Sequence, residues 1–114
     1  MKTLENAKLN KNEYDSLLEA TRILRSKLPV SRVIVFGSKA RGTGAADSDI
    51  DLLVLTSTPV TTAIRTAVSE LLAEINLQSD VTLSSVVVSE KDWEEGLVRY
   101  SLIHSEVERD GCEI

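Results

Sequence analysis

The chain has 114 residues, 42% of them hydrophobic and 27% charged, and a net charge of −5 at pH 7. That length predicts one domain over residues 1–114, able to bury a core without staples. The acidic balance argues against non-specific nucleic-acid binding, which depends on Lys and Arg neutralising phosphates. No run approaches the ~20 apolar residues of a membrane span. The opening MKTLENAKLNKNEY lacks the apolar core of a signal peptide, so a soluble, cytoplasmic protein is expected. One Cys and one His leave no internal disulfide and no zinc-type cluster.

Residues before Asn10 read as polar and either frayed or weakly helical. Asn10 and Glu13 have capping-box spacing, and Tyr14, Leu17, Leu18, Thr21, Leu24 and Leu28 recur at helical period. They predict a helix from Lys11 to Lys27, ended by Pro29. Arg22, Arg25 and Arg32 read as solvated surface. Val33 to Phe36 is a short β-branched run ending at glycine, hence a strand. Gly37 to Ser48 is a small polar loop, and Ile50 to Leu55 a second strand. Both runs are continuously apolar, as for strands buried on two faces.

A helix is predicted over Val60 to Asn76, a loop over Leu77 to Asp80 and a third strand over Thr82 to Val88. Ser89, with Asp92 three residues on, caps another helix whose face carries Trp93, Leu97 and Tyr100. Trp93 and Tyr100 are expected to pack rather than stack on a base. Ile103 and Val107 predict a last turn or two, Gly111 a C-cap, and Cys112 to Ile114 a tail. The order α-β-β-α-β-α predicts a mixed α/β domain, with a small sheet of three to four strands flanked by helices.

Asp49 and Asp51 alternate at the start of the second strand, so they share a face about 6.5–7 Å apart along the backbone. Two carboxylates so placed suit Mg²⁺ together with substrate phosphates. Running straight into a buried strand, they are fixed by it, unlike a solvated Asp-x-Asp turn. Gly37-Ser38 has two readings. Backbone N–H groups after a strand can cradle phosphate, with the Ser38 hydroxyl and the Arg41 fork adding donors. Otherwise the glycine turns the chain and the serine caps a short helix. A Walker loop is excluded because no Lys-Ser or Lys-Thr follows the last glycine. The dinucleotide fingerprint is excluded because Gly42 and Gly44 lead to Asp47 where it needs Gly.

Taken together, the strand, Gly37-Ser38, the ten residues Lys39 to Ser48, and Asp49-Ile50-Asp51-Leu52 resemble the DNA polymerase β nucleotidyltransferase superfamily. The stretch FGSKARGTGAADSDIDLLV is similar to that of its minimal nucleotidyltransferase (MNT) domains. The resemblance implies that Asp49 and Asp51 hold Mg²⁺, usually two ions, over ATP or another nucleoside triphosphate. It also implies that Gly37, Ser38 and Arg41 bind the phosphates. A third carboxylate on a later strand is part of the family pattern, and Asp80 is the acid in that neighbourhood. If the strand starts at Asp80, that residue can face the pair. If it starts at Thr82, Asp80 stays in the loop, and Ser84 or Ser85 takes a place neither can fill as a carboxylate.

The implied activity is transfer of AMP from ATP to a protein acceptor, as by an antitoxin acting on an all-helical HEPN-type partner. The alternatives are a small-molecule, antibiotic-type nucleotidyltransferase, with a homodimer supplying the missing surface, and a weakly catalytic module that neutralises a partner by contact. His104 and Cys112 read as structural, His104 being distant in sequence and Cys112 having no cation near it to lower its pKa.

Overall fold

The computed structural model describes residues 1–45 and 48–114; residues 46 and 47, in the predicted Gly37 to Ser48 loop, lie outside them. Five strands form one mixed sheet: β1 (Lys2–Thr3), β2 (Val30–Phe36), β3 (Ile50–Thr56), β4 (Leu83–Ser89) and β5 (Cys112–Glu113). Their order across the sheet is β1-β5-β2-β3-β4. β2 is antiparallel to both β3 and β5, whereas β4 is parallel to β3 and β1 to β5. The helices are α1 (Lys11–Lys27), α2 (Gly37–Arg41), α3 (Thr62–Ser79), α4 (Glu90–Glu95) and α5 (Leu102–Asp110). Among the described residues no helix is long and apolar enough to cross a membrane.

The mixed α/β architecture is the expected one, with two strands more than the apolar runs announce. The frayed opening is instead β1 followed by a 3-10 turn over Leu4–Asn6, with Leu4 buried. The expected tail is β5, seated between β1 and β2. Two-residue strands carry no periodicity to read. The helix expected to run through Trp93, Leu97 and Tyr100 stops at Glu95, because Gly96 breaks it. A 3-10 turn over Leu97–Tyr100 follows and turns the face outward: Leu97 is 88% and Tyr100 82% exposed, so Tyr100 does not pack in the core.

Strand alternation gives the sheet two faces. Val33, Val35, Ile50, Leu52, Val54, Leu83 and Val87 meet Leu17 and Leu24 of α1 and Val68, Leu72 and Ile75 of α3. The other face, Ile34, Phe36, Leu53 and Leu55, packs against Trp93 of α4 and Val107 of α5. His104 stacks on Trp93 with ring centroids 4.4 Å apart. Cys112 is buried, and that burial pushes its thiol pKa up.

The start of α1 is tied to α2 through one side chain. Asn10 Oδ1 accepts the Glu13 N–H at 2.8 Å, and Glu13 Oε1 accepts the Asn10 N–H at 3.0 Å. That completes the predicted capping box. Glu13 Oε2 lies 2.9 Å from the Lys39 ammonium, with both side chains almost wholly buried. The Lys8 N–H also donates to the Lys39 carbonyl at 3.2 Å. Removing Glu13 loses this buried ionic contact and the Asn10 capping bond together. Glu13→Ala is therefore expected to lower the unfolding free energy by about 3 kcal/mol, read from urea denaturation. Asp15→Ala, which removes only the exposed Lys11–Asp15 pair, is expected to leave the midpoint unchanged.

Candidate functional site

Three strands align one residue each across the sheet. Phe36 of β2 stands opposite Asp51 of β3, and Asp51 opposite Ser84 of β4. Ile50 and Leu52 enter the core beneath α1 and α3, so alternation sends Asp51 to the opposite face. There Trp93 and Val107 cover the Leu53–Leu55 end. The cover stops before Asp51, which is half-buried, and Ser84, which is exposed. The apolar face thus ends in an open polar corner.

Asp51 is held on both sides in that corner. Its Oδ1 accepts a hydrogen bond from the Ser84 hydroxyl at 3.0 Å. Its Oδ2 lies against Gly37, where a Cβ would come within 2.5 Å of it. Gly37 also has φ of +77°, a left-handed backbone that favours glycine. β2 therefore turns directly into α2 across the carboxylate. Phe36, the residue before α2, offers no side-chain cap to the helix's first N–H groups.

The loop after α2 folds back onto the same corner. Gly42, again at φ +77°, ends the helix. The Ser38 carbonyl accepts the Thr43 N–H at 3.0 Å and the Gly44 N–H at 3.3 Å. A Cβ on Gly44 would lie 2.7 Å from the Ser38 hydroxyl oxygen and 2.6 Å from that of Ser48. Ser38, Gly44 and Ser48 are thus packed together next to Asp49. Asp49 is exposed and directly precedes β3, whose first residue, Ile50, donates its N–H to the Thr82 carbonyl at 2.9 Å.

Two of the sequence-derived candidates lie elsewhere. Arg41 sits at the end of α2 with its guanidinium 3.8 Å from Asp110 of α5, which is also held by Arg109 at 2.9 Å. Asp80 ends α3 at φ +53° and is exposed. It borders a polar cavity of about 350 Å³ with Asn10, Asn12, Glu13, Ser48, Val81 and Thr82. Because β4 starts at Leu83, Asp80 belongs to the helix end, and the β4 residue facing Asp51 is Ser84. Among the described residues no three acidic, His or Cys side chains stand together as a metal-binding set. Asp49 and Asp51 can supply two hard oxygen donors, to which phosphate oxygens and water would add the rest of a coordination shell.

Sequence patterns missed one contributor outright. Lys39, within the Gly-Ser loop motif, is buried in its pair with Glu13 and anchors the loop. The Ser84 contact depends on register, which sequence spacing leaves open between Ser84 and Ser85.

Comparison with known proteins gives the chain a family. The model of the nucleotidyltransferase domain family matches residues 17–110. A candidate protein adenylyltransferase of Methanocaldococcus jannaschii is 30% identical over 96 residues, covering 84% of this chain and 88% of that protein. A solved toxin–antitoxin structure with AMP-PNP superposes with a TM-score of 0.61 at 19% identity, over 91% of this chain and 72% of the other. A Shewanella oneidensis structure, a tri-AMPylated HEPN toxin in complex with MNT antitoxin, gives a TM-score of 0.51 at 20% identity, over 86% and 70%. The structural likenesses, at such identities, speak to the fold. The family match covers most of the chain and contains the whole Gly37-to-Ser84 corner, and the chain belongs to the nucleotidyltransferase domain family.

Proposed function

We propose that this nucleotidyltransferase moves AMP from ATP onto a hydroxyl of a separate protein. The observation that carries the reading is the corner itself: Asp51 pressed against the Gly37 turn at the start of α2. In this reading the phosphates lie along Gly37, Ser38 and Gly44, with the α-phosphate toward Asp49 and Asp51. Arg41 would leave Asp110 to reach a phosphate. Divalent metal, Mg²⁺ in this reading, would be held by Asp49 and Asp51 and would offset charge on the attacking and leaving oxygens. The acceptor oxygen bonds to the α-phosphorus in line, the bond to the bridging oxygen breaks, and pyrophosphate leaves. Positioning and charge neutralisation supply most of the catalysis in such transfers.

The acceptor assignment draws on the relatives. The similar archaeal protein is described as a candidate protein adenylyltransferase, and a fold neighbour stands in complex with an AMPylated HEPN toxin. We therefore place this chain as the antitoxin of a HEPN/MNT-type pair, working in the cytoplasm where ATP is available. A second reading, neutralisation of the partner by contact alone, is favoured by one observation. The β4 residue facing Asp51 is a serine, not an acid.

The two separate in one experiment. The purified chain is mixed with a helical HEPN partner, ATP and Mg²⁺, and intact masses are measured. Gain of an adenylyl group by the partner is expected. Asp49→Asn and Asp51→Asn should each cut the rate by on the order of 10³ or more, the scale of losing one charge-stabilising group in phosphoryl transfer. A partner left unmodified yet inhibited would establish the contact reading. Gly37→Ala is expected to match Asp51→Asn in lost transfer, because its methyl group displaces the Asp51 carboxylate. It should also destabilise the fold by about 1–3 kcal/mol through the left-handed backbone, measured by chemical denaturation.

A further inference from the structure

We propose that Ser84 is a positioning residue for the transfer, setting the direction in which Asp51 presents its carboxylate. The inference rests on the metal-dependent reading of the Asp49–Asp51 pair. Asp51 is the residue of β3 that faces Ser84 in register, and the Ser84 hydroxyl donates to Asp51 Oδ1 at 3.0 Å. The opposite oxygen, Oδ2, is the one that meets the Gly37 backbone. One oxygen is thus tied to β4 and the other is turned to the α2 end of the corner, where phosphate and cation would lie. Without the hydroxyl, the carboxylate is free to rotate about its Cβ–Cγ bond and lose that alignment.

Ser84 suits this role and little else on the strand does. Its neighbours Leu83 and Ser85 alternate toward the α3 face, and Leu83 is buried there. Val86, two residues on, is 39% exposed and has no polar atom to offer. A carboxylate in place of Ser84 would face Asp51 with like charge, whereas the serine offers a proton. The serine thus gives Asp51 a donor where an acid would repel it. Outer partners that orient a ligating carboxylate govern metal affinity without touching the metal themselves.

Calorimetric ATP binding tests this in the full chain, once with Mg²⁺ and once with EDTA. Ser84→Ala is expected to raise the Kd for ATP about 10-fold with Mg²⁺, to change the metal-free Kd less than about twofold, and to leave the unfolding midpoint at the wild-type value, since the residue is exposed. Ser84→Thr, which keeps the hydroxyl on a strand position that accepts β-branched residues, is expected to restore the Mg²⁺-dependent affinity. The proposal is overturned if Ser84→Ala binds Mg²⁺-ATP like the wild type, if both affinities fall together, or if Ser84→Thr behaves like Ser84→Ala. A wild-type chain whose ATP affinity is indifferent to Mg²⁺ overturns the metal-dependent reading as well, and so distinguishes that failure from a failure of Ser84 alone.

Discussion

The absence of a Cβ at Gly37 is the constraint on which the corner depends. Asp51 Oδ2 occupies the space a side chain would need, 2.5 Å from where the methyl carbon would be. Contact at that distance is possible only for a bare backbone turning at positive φ. The turn in turn requires β2 to end at Phe36, directly opposite Asp51. Strand length, register and glycine placement are therefore one requirement stated three ways.

Rigidity reaches the corner from both sides of the sheet. Beneath, Ile50 and Leu52 are locked into the layer under α1 and α3, so Asp51 has no freedom to slip by one residue without exposing that layer. At the flank, Glu13 and Lys39 bind α2 to the start of α1. A capping glutamate at a helix start and a lysine in the loop motif thus share one buried ionic contact. Such a contact adds little net stability, but breaking it would cost more than it adds.

Much of this was legible because it is local. The apolar runs Val33 to Phe36 and Ile50 to Leu55, the Gly-Ser after one and the Asp-x-Asp before the other are all written within a few residues. The Asn10–Glu13 box likewise needs only a three-residue spacing. What escaped depends on partners far apart in sequence. Glu13 satisfies its local role through Asn10 alone, so nothing in the pattern announces Lys39. Ser84 and Ser85 look alike until the register with β3 is known, and Asp80 stands four positions before the residue that faces Asp51. Trp93, Leu97 and Tyr100 have helical spacing, yet Gly96 interrupts the helix and only Trp93 goes inside.

The placement of β5 has a bearing on how the molecule comes together. β1 touches the sheet through β5, and β5 joins it by pairing with β2. Two strands drawn from far-separated parts of the sequence thus close the sheet as a linked pair. Closing so long a stretch of chain costs somewhat more entropy than bringing β2 to β3, and such non-local pairing is slower to form. The β2-β3-β4 corner, whose β2–β3 part is local in sequence, can therefore take shape before β5 docks. Loosening β5 would release β1 with it and uncover the β2 edge, while leaving in place the strands that carry Asp51 and Ser84.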